Sequence, residues 1–327
     1  MRALILAALS LVAAPAAAQK IDAQKIDAQK IDATPRTVVM TAFPPEYGAL
    51  EGAVADPVPH SVNGVTFLTG TMAGRPVLLM QSGVSMVNAA MNTQLVLDRF
   101  AVKRIVFSGI AGGVDPALSV GDVIVPERWG QYLEVSFARR KGKGWGTPER
   151  RNPDAPRNWG MMFPRGVRVG NAAEPARQHL YFDADPALLS LARAVASRVT
   201  LQRCVTAAAA MSAVVRGPTV PKGPADACLA HVPKIVIGGT GVSASVFADN
   251  AAFRIYLHDA WKARVLDMES AAVAQVAYAN QTPAIVFRSL SDLAGGDEGA
   301  NQMRTFMQLA SVNSAEVVRA FVAALPD

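Results

Sequence analysis

The chain has 327 residues, of which 51% are hydrophobic and 18% charged. That balance excludes a disordered protein and leaves ample apolar material for a buried core. The net charge of +6 is local: residues 128–177 hold eleven Lys/Arg against four Asp/Glu and the rest is close to neutral, which excludes a uniformly basic nucleic-acid-binding chain.

In chain order, Met1-Arg2, the apolar run Ala3–Ala14 and Ala16-Ala17-Ala18 before Gln19 read as a secretory signal over 1–18, cleaved after Ala18. The run is short for a spanning helix. The protein is therefore expected to be exported, periplasmic or secreted, with no membrane attachment after cleavage. Gln-Lys-Ile-Asp-Ala then occurs at 19–23, 24–28 and 29–33. A five-residue period offers neither a helical nor a strand face, so 19–36 reads as a linker.

Thr37–Ala42, Val65–Thr71 and Val77–Gln81 read as strands, the last two joined by a turn at Ala73-Gly74-Arg75. Asn88–Phe100 reads as a helix with Met91, Leu95 and Val96 on its apolar face. Arg104–Ser108 is a strand running into a glycine-rich turn, Gly109–Gly113, and Asp122–Val125 is a further strand. Periodicity is lost over about 128–180, which reads as a surface insertion. Pro186–Val199 is helical and 205–232 is ambiguous. Lys234–Ile237, Arg264–Asp267 and Ala284–Arg288 are strands. Asp249–Trp261 (from an Asp N-cap), Ser270–Ala279 and 300–324 are helices. This alternation gives one α/β domain over 37–327 with a largely parallel or mixed sheet. Cys204 and Cys228 are the only cysteines, and in an oxidising compartment they are expected to form a disulfide.

Ligands of such sheets bind beyond the carboxyl ends of the strands. There the sequence places Glu46, the glycines of 109–113, Met268-Glu269 and Ser289–Asp292. The last two belong to one strand–helix–strand unit, whose right-handed crossover returns both to the same rim. Three carboxylates and a glycine turn can thus share a pocket. Glu269 stands at a helix start, where a negative charge is favoured, and can accept both hydroxyls of a ribose diol. Gly109 and Gly112 let backbone approach a ligand.

Ser108–Gly113 with Val120–Val125, Asp267–Ala272, Arg288–Ala294 and Ser245–Asn250 together resemble the nucleoside phosphorylase/nucleosidase superfamily. Within it the chain is similar to the 5′-methylthioadenosine/S-adenosylhomocysteine nucleosidases and to the plant bark and vegetative storage proteins. The resemblance implies a mixed central sheet flanked by helices, and hydrolysis of the N-glycosidic bond of a purine nucleoside. It implies Asp292 as the acid that protonates N7 of the leaving base and Glu46 as the base that activates water. Met268 and Glu269 would hold the ribose, Phe247 would stack on the base, and Arg288 would help order the water side. Breaking the bond through an oxocarbenium-like state calls for two carboxyl groups in different protonation states. The phosphorylase branch has Arg where Phe107 stands, so water is the expected acceptor. Bacterial nucleosidases commonly have Ser where Ile110 stands. A storage-type protein that binds nucleoside without turnover, or a phosphorylase, is the alternative. The resemblance also implies a homo-oligomer. No cofactor is implied, no His or Cys pair has metal-ligand spacing, and the run Arg139–Trp145 reads as a solvated loop rather than a nucleic-acid contact.

Overall fold

The computed structural model describes residues 30–149, 151–205 and 227–326. The expected signal over 1–18 and most of the pentapeptide repeat lie outside the described residues. Twelve strands among the described residues form one mixed sheet. They are β1 (Asp32–Thr41), β2 (Ala55–Val62), β3 (Val65–Met72), β4 (Arg75–Gln81), β5 (Phe100–Gly113), β6 (Val123–Val125), β7 (Arg128–Gln131), β8 (Tyr181–Asp183), β9 (Ile235–Ile237), β10 (Thr240–Ser243), β11 (Ala263–Asp267) and β12 (Ala284–Asp292). The order runs β8-β7-β10-β11-β5-β1-β4-β3-β2, with β12 parallel to β5 and antiparallel to β6, and β9 parallel to β6.

Period-two alternation sorts the core into two layers. Val38 and Met40 of β1, Leu78 and Met80 of β4, and Ile105 and Phe107 of β5 face one side. They pack there against α2 (Met86–Arg99) and α5 (Ser270–Ala279). Val39, Leu79, Val106, Ile285 and Phe287 face the other side. They meet α1 (Pro44–Glu51), α3 (Pro186–Ala196) and α6 (Met303–Ala323). The remaining helix among the described residues, α4 (Ala251–Trp261), packs on β11.

Several expectations are corrected. β1 begins at Asp32, inside the expected linker, because Asp32 is tied to Arg36 at 2.6 Å and pairs with Phe100. β2 was not expected, since Pro57 and Pro59 interrupt its pattern; as an edge strand it tolerates residues that cannot donate to a ladder. The segment 109–113 is not a turn but the end of β5, paired with β12 and β11. The insertion starts later than 128, because Arg128–Gln131 is a sheet strand anchored by buried Trp129. Along α2 the buried residues are Ala89, Asn92, Thr93 and Val96, while Met91 is exposed. The cap of α4 is Asn250, whose side chain accepts from the Phe253 N–H, not Asp249. Among the described residues no helix is long and apolar enough to cross a membrane.

Cys204 and Cys228 are bonded and face each other in a short antiparallel ladder. Restricting a loop of this length in the unfolded chain is worth roughly 3 kcal/mol. Urea unfolding with and without reductant is expected to show that loss; equal midpoints would remove the stabilising role.

Candidate active site

Four strand ends and the loops after β4 and β10 converge on a cavity of about 250 Å³. Glu46 reaches it from the first turn of α1 after β1, Ile110 and Gly112 from β5, Met268 and Glu269 from the end of β11, and Asp292 from the end of β12. Phe247 enters from the loop after β10 and is 53% exposed. Six residues expected at the site, Glu46, Gly112, Phe247, Met268, Glu269 and Asp292, thus share one cavity. Gly109 and Arg288 do not line it; they lie behind the carboxylates.

Glu46 is 2% exposed and held by backbone: Oε2 accepts from the Ala42 N–H at 2.6 Å and Oε1 from the Ile110 N–H at 2.7 Å. Burial pushes its carboxyl up to about 7, against the opposing pull of Arg288 and these N–H groups. Burial, then the neighbouring Asp267 charge, likewise pushes Glu269 up to about 7. Asp292 is 4% exposed, and burial raises it too, opposed by the Ala294 N–H at 2.9 Å and the Ser291 hydroxyl at 2.9 Å. The site therefore holds carboxyls that change protonation well above the ordinary carboxylate range.

Arg288 sits beneath them, fully buried. Its Nε donates to Asp267 at 2.7 Å and its Nη2 to the Ser270 hydroxyl at 2.9 Å. Nη1 lies 3.8 Å from Glu46 and Nη2 3.8 Å from Glu269, and the guanidinium covers the Phe107 ring at 4.1 Å. Burial opposes its charge, and Asp267, Glu46 and Glu269 together outweigh that, raising its pKa. Gly109 makes the arrangement possible: a Cβ there would run into Arg288 Nη1 and approach Glu46 Oε1 to 2.5 Å. The glycine supplies space, not an unusual backbone angle. Gly109→Ala is expected to lose about 1–3 kcal/mol of stability, as overpacking does, and to lose activity with it. Urea unfolding and a turnover assay check this; a fully active, equally stable variant would show that the cluster shifts aside freely.

Asp267 was quoted in a motif but given no role. Its carboxylate accepts from five donors: the Ser243 and Ser270 hydroxyls, the Glu269 and Ser270 N–H groups, and Arg288 Nε. It thereby caps α5 and fixes Glu269. Glu269 stands at the N-cap of α5, at the helix start as expected, but its side chain makes no cap hydrogen bond; it turns away and accepts from the Ser85 N–H at 2.7 Å. Ser85 holds φ 80° and ψ 154°, a region that glycine normally occupies. This loop after β4, with Val84 on the cavity wall, was missed because no charged residue marks it. Its available signal was Gly83 at a strand end. Among the described residues no group of three or more His, Cys, Asp or Glu is placed to hold a metal ion.

The family model of the phosphorylase superfamily matches residues 36–323. The chain is 27% identical over 281 residues to a 5′-methylthioadenosine/S-adenosylhomocysteine nucleosidase of Mycobacterium bovis, covering 86% of this chain and 94% of the relative. It is 24% identical over 273 residues to Bark storage protein A of Populus deltoides, covering 81% and 79%. The solved nucleosidase of Neisseria meningitidis, in complex with methylthio-immucillin-A, aligns with TM-score 0.60 at 21% identity, over 89% of this chain and 99% of that one. Futalosine hydrolase of Helicobacter pylori aligns with TM-score 0.62 at 20% identity, over 89% and 98%. These structural likenesses bear on the fold, and the family match spans almost all of the described sheet and every residue of the cavity. The chain belongs to the phosphorylase superfamily.

Proposed function

We propose that the protein is an exported purine nucleosidase. It hydrolyses an adenine nucleoside, of the methylthioadenosine or S-adenosylhomocysteine type, to free base and free sugar. The observation that carries this reading is the pair of buried carboxyls with raised pKa, Glu46 and Asp292, facing one cavity with Glu269. As the C1′–N9 bond breaks, its electron pair leaves with the base and Asp292 delivers its proton to N7. Water bonds to C1′ while Glu46 takes a proton from it. Glu269 accepts the ribose hydroxyls, Met268 packs on the sugar and Phe247 on the base. Asp267 and Arg288 keep Glu46 and Glu269 in place.

Two observations favour water over phosphate as acceptor. Among the described residues no Lys or Arg lines the cavity, so none of them offers a charge-assisted grip on phosphate there. Phe107, at the position of the phosphorylase arginine, is buried beneath Arg288. The apolar walls from Val84, Met268 and Met303 suit an alkylthio substituent. Val87 and Met91 of α2 are exposed, and such apolar side chains favour a homo-oligomer.

The test is a product assay with methylthioadenosine, S-adenosylhomocysteine, adenosine and inosine, each with and without phosphate. Free base and free sugar, independent of phosphate, are expected. A phosphate requirement with sugar 1-phosphate would make it a phosphorylase, and saturable binding without turnover would make it a storage-type protein. For export, N-terminal sequencing of protein recovered outside the cytoplasm is expected to begin at Gln19; retained Met1 would overturn that part.

A further inference from the structure

The charge surplus of 128–177 has no part in the cavity. The segment folds as short ribbons: Val135–Phe137 pairs with Met162–Pro164, and Arg140–Lys141 with Gly144–Trp145. Elsewhere in it, three cations meet carboxylates. Arg165 pairs with Glu134 at 2.7 Å, Arg177 with Glu174 at 3.4 Å and Arg157 with Asp259 at 3.7 Å. Arg151 and Arg168 are exposed without a carboxylate partner among the described residues, but singly; Arg139, Arg140, Lys141 and Lys143 stand together within five residues. All four are exposed, and none has a carboxylate partner among the described residues. The turn through Gly142, φ 57°, gathers them on one short exposed hairpin.

Apolar side chains stand beside these charges. Phe137, two residues before Arg139, is 66% exposed. Met161, whose carbonyl accepts from the Ala138 N–H at 2.8 Å, is 39% exposed. Like charges held together on an exposed ribbon repel unless an anionic surface meets them. Cations flanked by exposed apolar groups match the boundary of an anionic bilayer, where headgroups take the charge and acyl chains take the apolar side chains. A single-stranded nucleic acid fits less well. It stacks successive bases on several aromatic faces in a row, and on this ribbon Phe137 is exposed while the nearby Trp145 is covered by Arg140 at 5.1 Å.

We propose that the 137–145 ribbon docks the protein peripherally on an anionic lipid surface, with Arg139, Arg140, Lys141 and Lys143 at the headgroups and Phe137 and Met161 entering the boundary. This amends the expectation of no membrane attachment after signal cleavage, and it is independent of the nucleosidase reading. The test is co-sedimentation of the full chain with phosphatidylcholine vesicles, with or without phosphatidylglycerol. Phosphatidylglycerol is expected to increase binding, and added salt to weaken it. Lys141→Glu/Lys143→Glu is expected to lose at least about fivefold in affinity per cation removed. Phe137→Ser is expected to weaken vesicle binding while leaving retention on heparin unchanged. Both variants change exposed side chains, and an unchanged melting temperature confirms that they fold; Lys141→Ala/Lys143→Ala serves if they do not. Equal binding to both vesicle types, or variants that bind as the parent does, would overturn the proposal. Tighter binding to a single-stranded oligonucleotide, unaffected by Phe137→Ser, would overturn it in favour of nucleic acid.

Discussion

Replacing Asp292 with Asn is expected to lower kcat for a purine nucleoside by about 10²- to 10⁴-fold, the usual contribution of a positioned acid, with little change in substrate binding. The amide keeps the shape: its Oδ1 can accept from the Ala294 N–H, while its Nδ2, in place of the second carboxyl oxygen, can donate to the Ser291 hydroxyl, which turns from donor to acceptor. It loses only the transferable proton. Burial raises Asp292, so the parent enzyme holds that proton at higher pH than an exposed aspartate would. Glu46, at about 7, must be ionised to take a proton from water. Activity of the parent is therefore expected to fall as pH drops through about 7. Because Glu269 changes charge in the same range, that limb reports both glutamates together. Loss of protonated Asp292 sets the alkaline limb. In Asp292→Asn the alkaline limb should vanish from the residual rate while the acid limb stays. Unchanged kcat, or an unaltered alkaline limb, would mean that another group protonates the base.

The carboxylates of this site were legible because catalysis leaves charges where packing would prefer none. Glu46, Glu269 and Asp292 each follow a strand whose apolar pattern is clear, and the chain's alternation places all three at one rim. What supports them was less legible. Asp267 looked like the end of a strand, yet it receives five hydrogen bonds from residues spread over 243–288. Arg288 sits two residues beyond apolar Val286 in the same buried strand, and only the structure shows that its guanidinium stays under the cavity floor. Gly109–Gly113 was mistaken for a turn because glycine marks both turns and crowded strands; here Arg288 and Glu46 fill the space a Cβ would need. Edge and short strands escaped for a different reason. β2 carries prolines that only an edge allows, and β7 reads as Arg-Trp-Gly-Gln, with no alternation to count.

Replacing Arg288 with Met is expected to cost about 3–5 kcal/mol, the range for removing one partner of a buried ion cluster. Met fills much of the volume and keeps contact with Phe107, so the loss is electrostatic rather than a cavity effect. Three carboxylates, Glu46, Asp267 and Glu269, would lose their one shared cation. The loss should depend on pH with a definite sign. Glu46 and Glu269 already titrate near 7 when folded, against an ordinary value of 4.5. Between those values the folded chain binds more protons than the unfolded one, so these groups favour folding at low pH and lose that contribution as pH rises through about 7. Without Arg288 both carboxyls move further up, and the decline steepens and extends to higher pH. Urea unfolding of Arg288→Met and the parent is thus expected to show a small difference near pH 4 and the full difference above pH 8. A loss below about 1 kcal/mol, or one equal at both pH values, would mean that the buried carboxyls are not held as ions by this arginine.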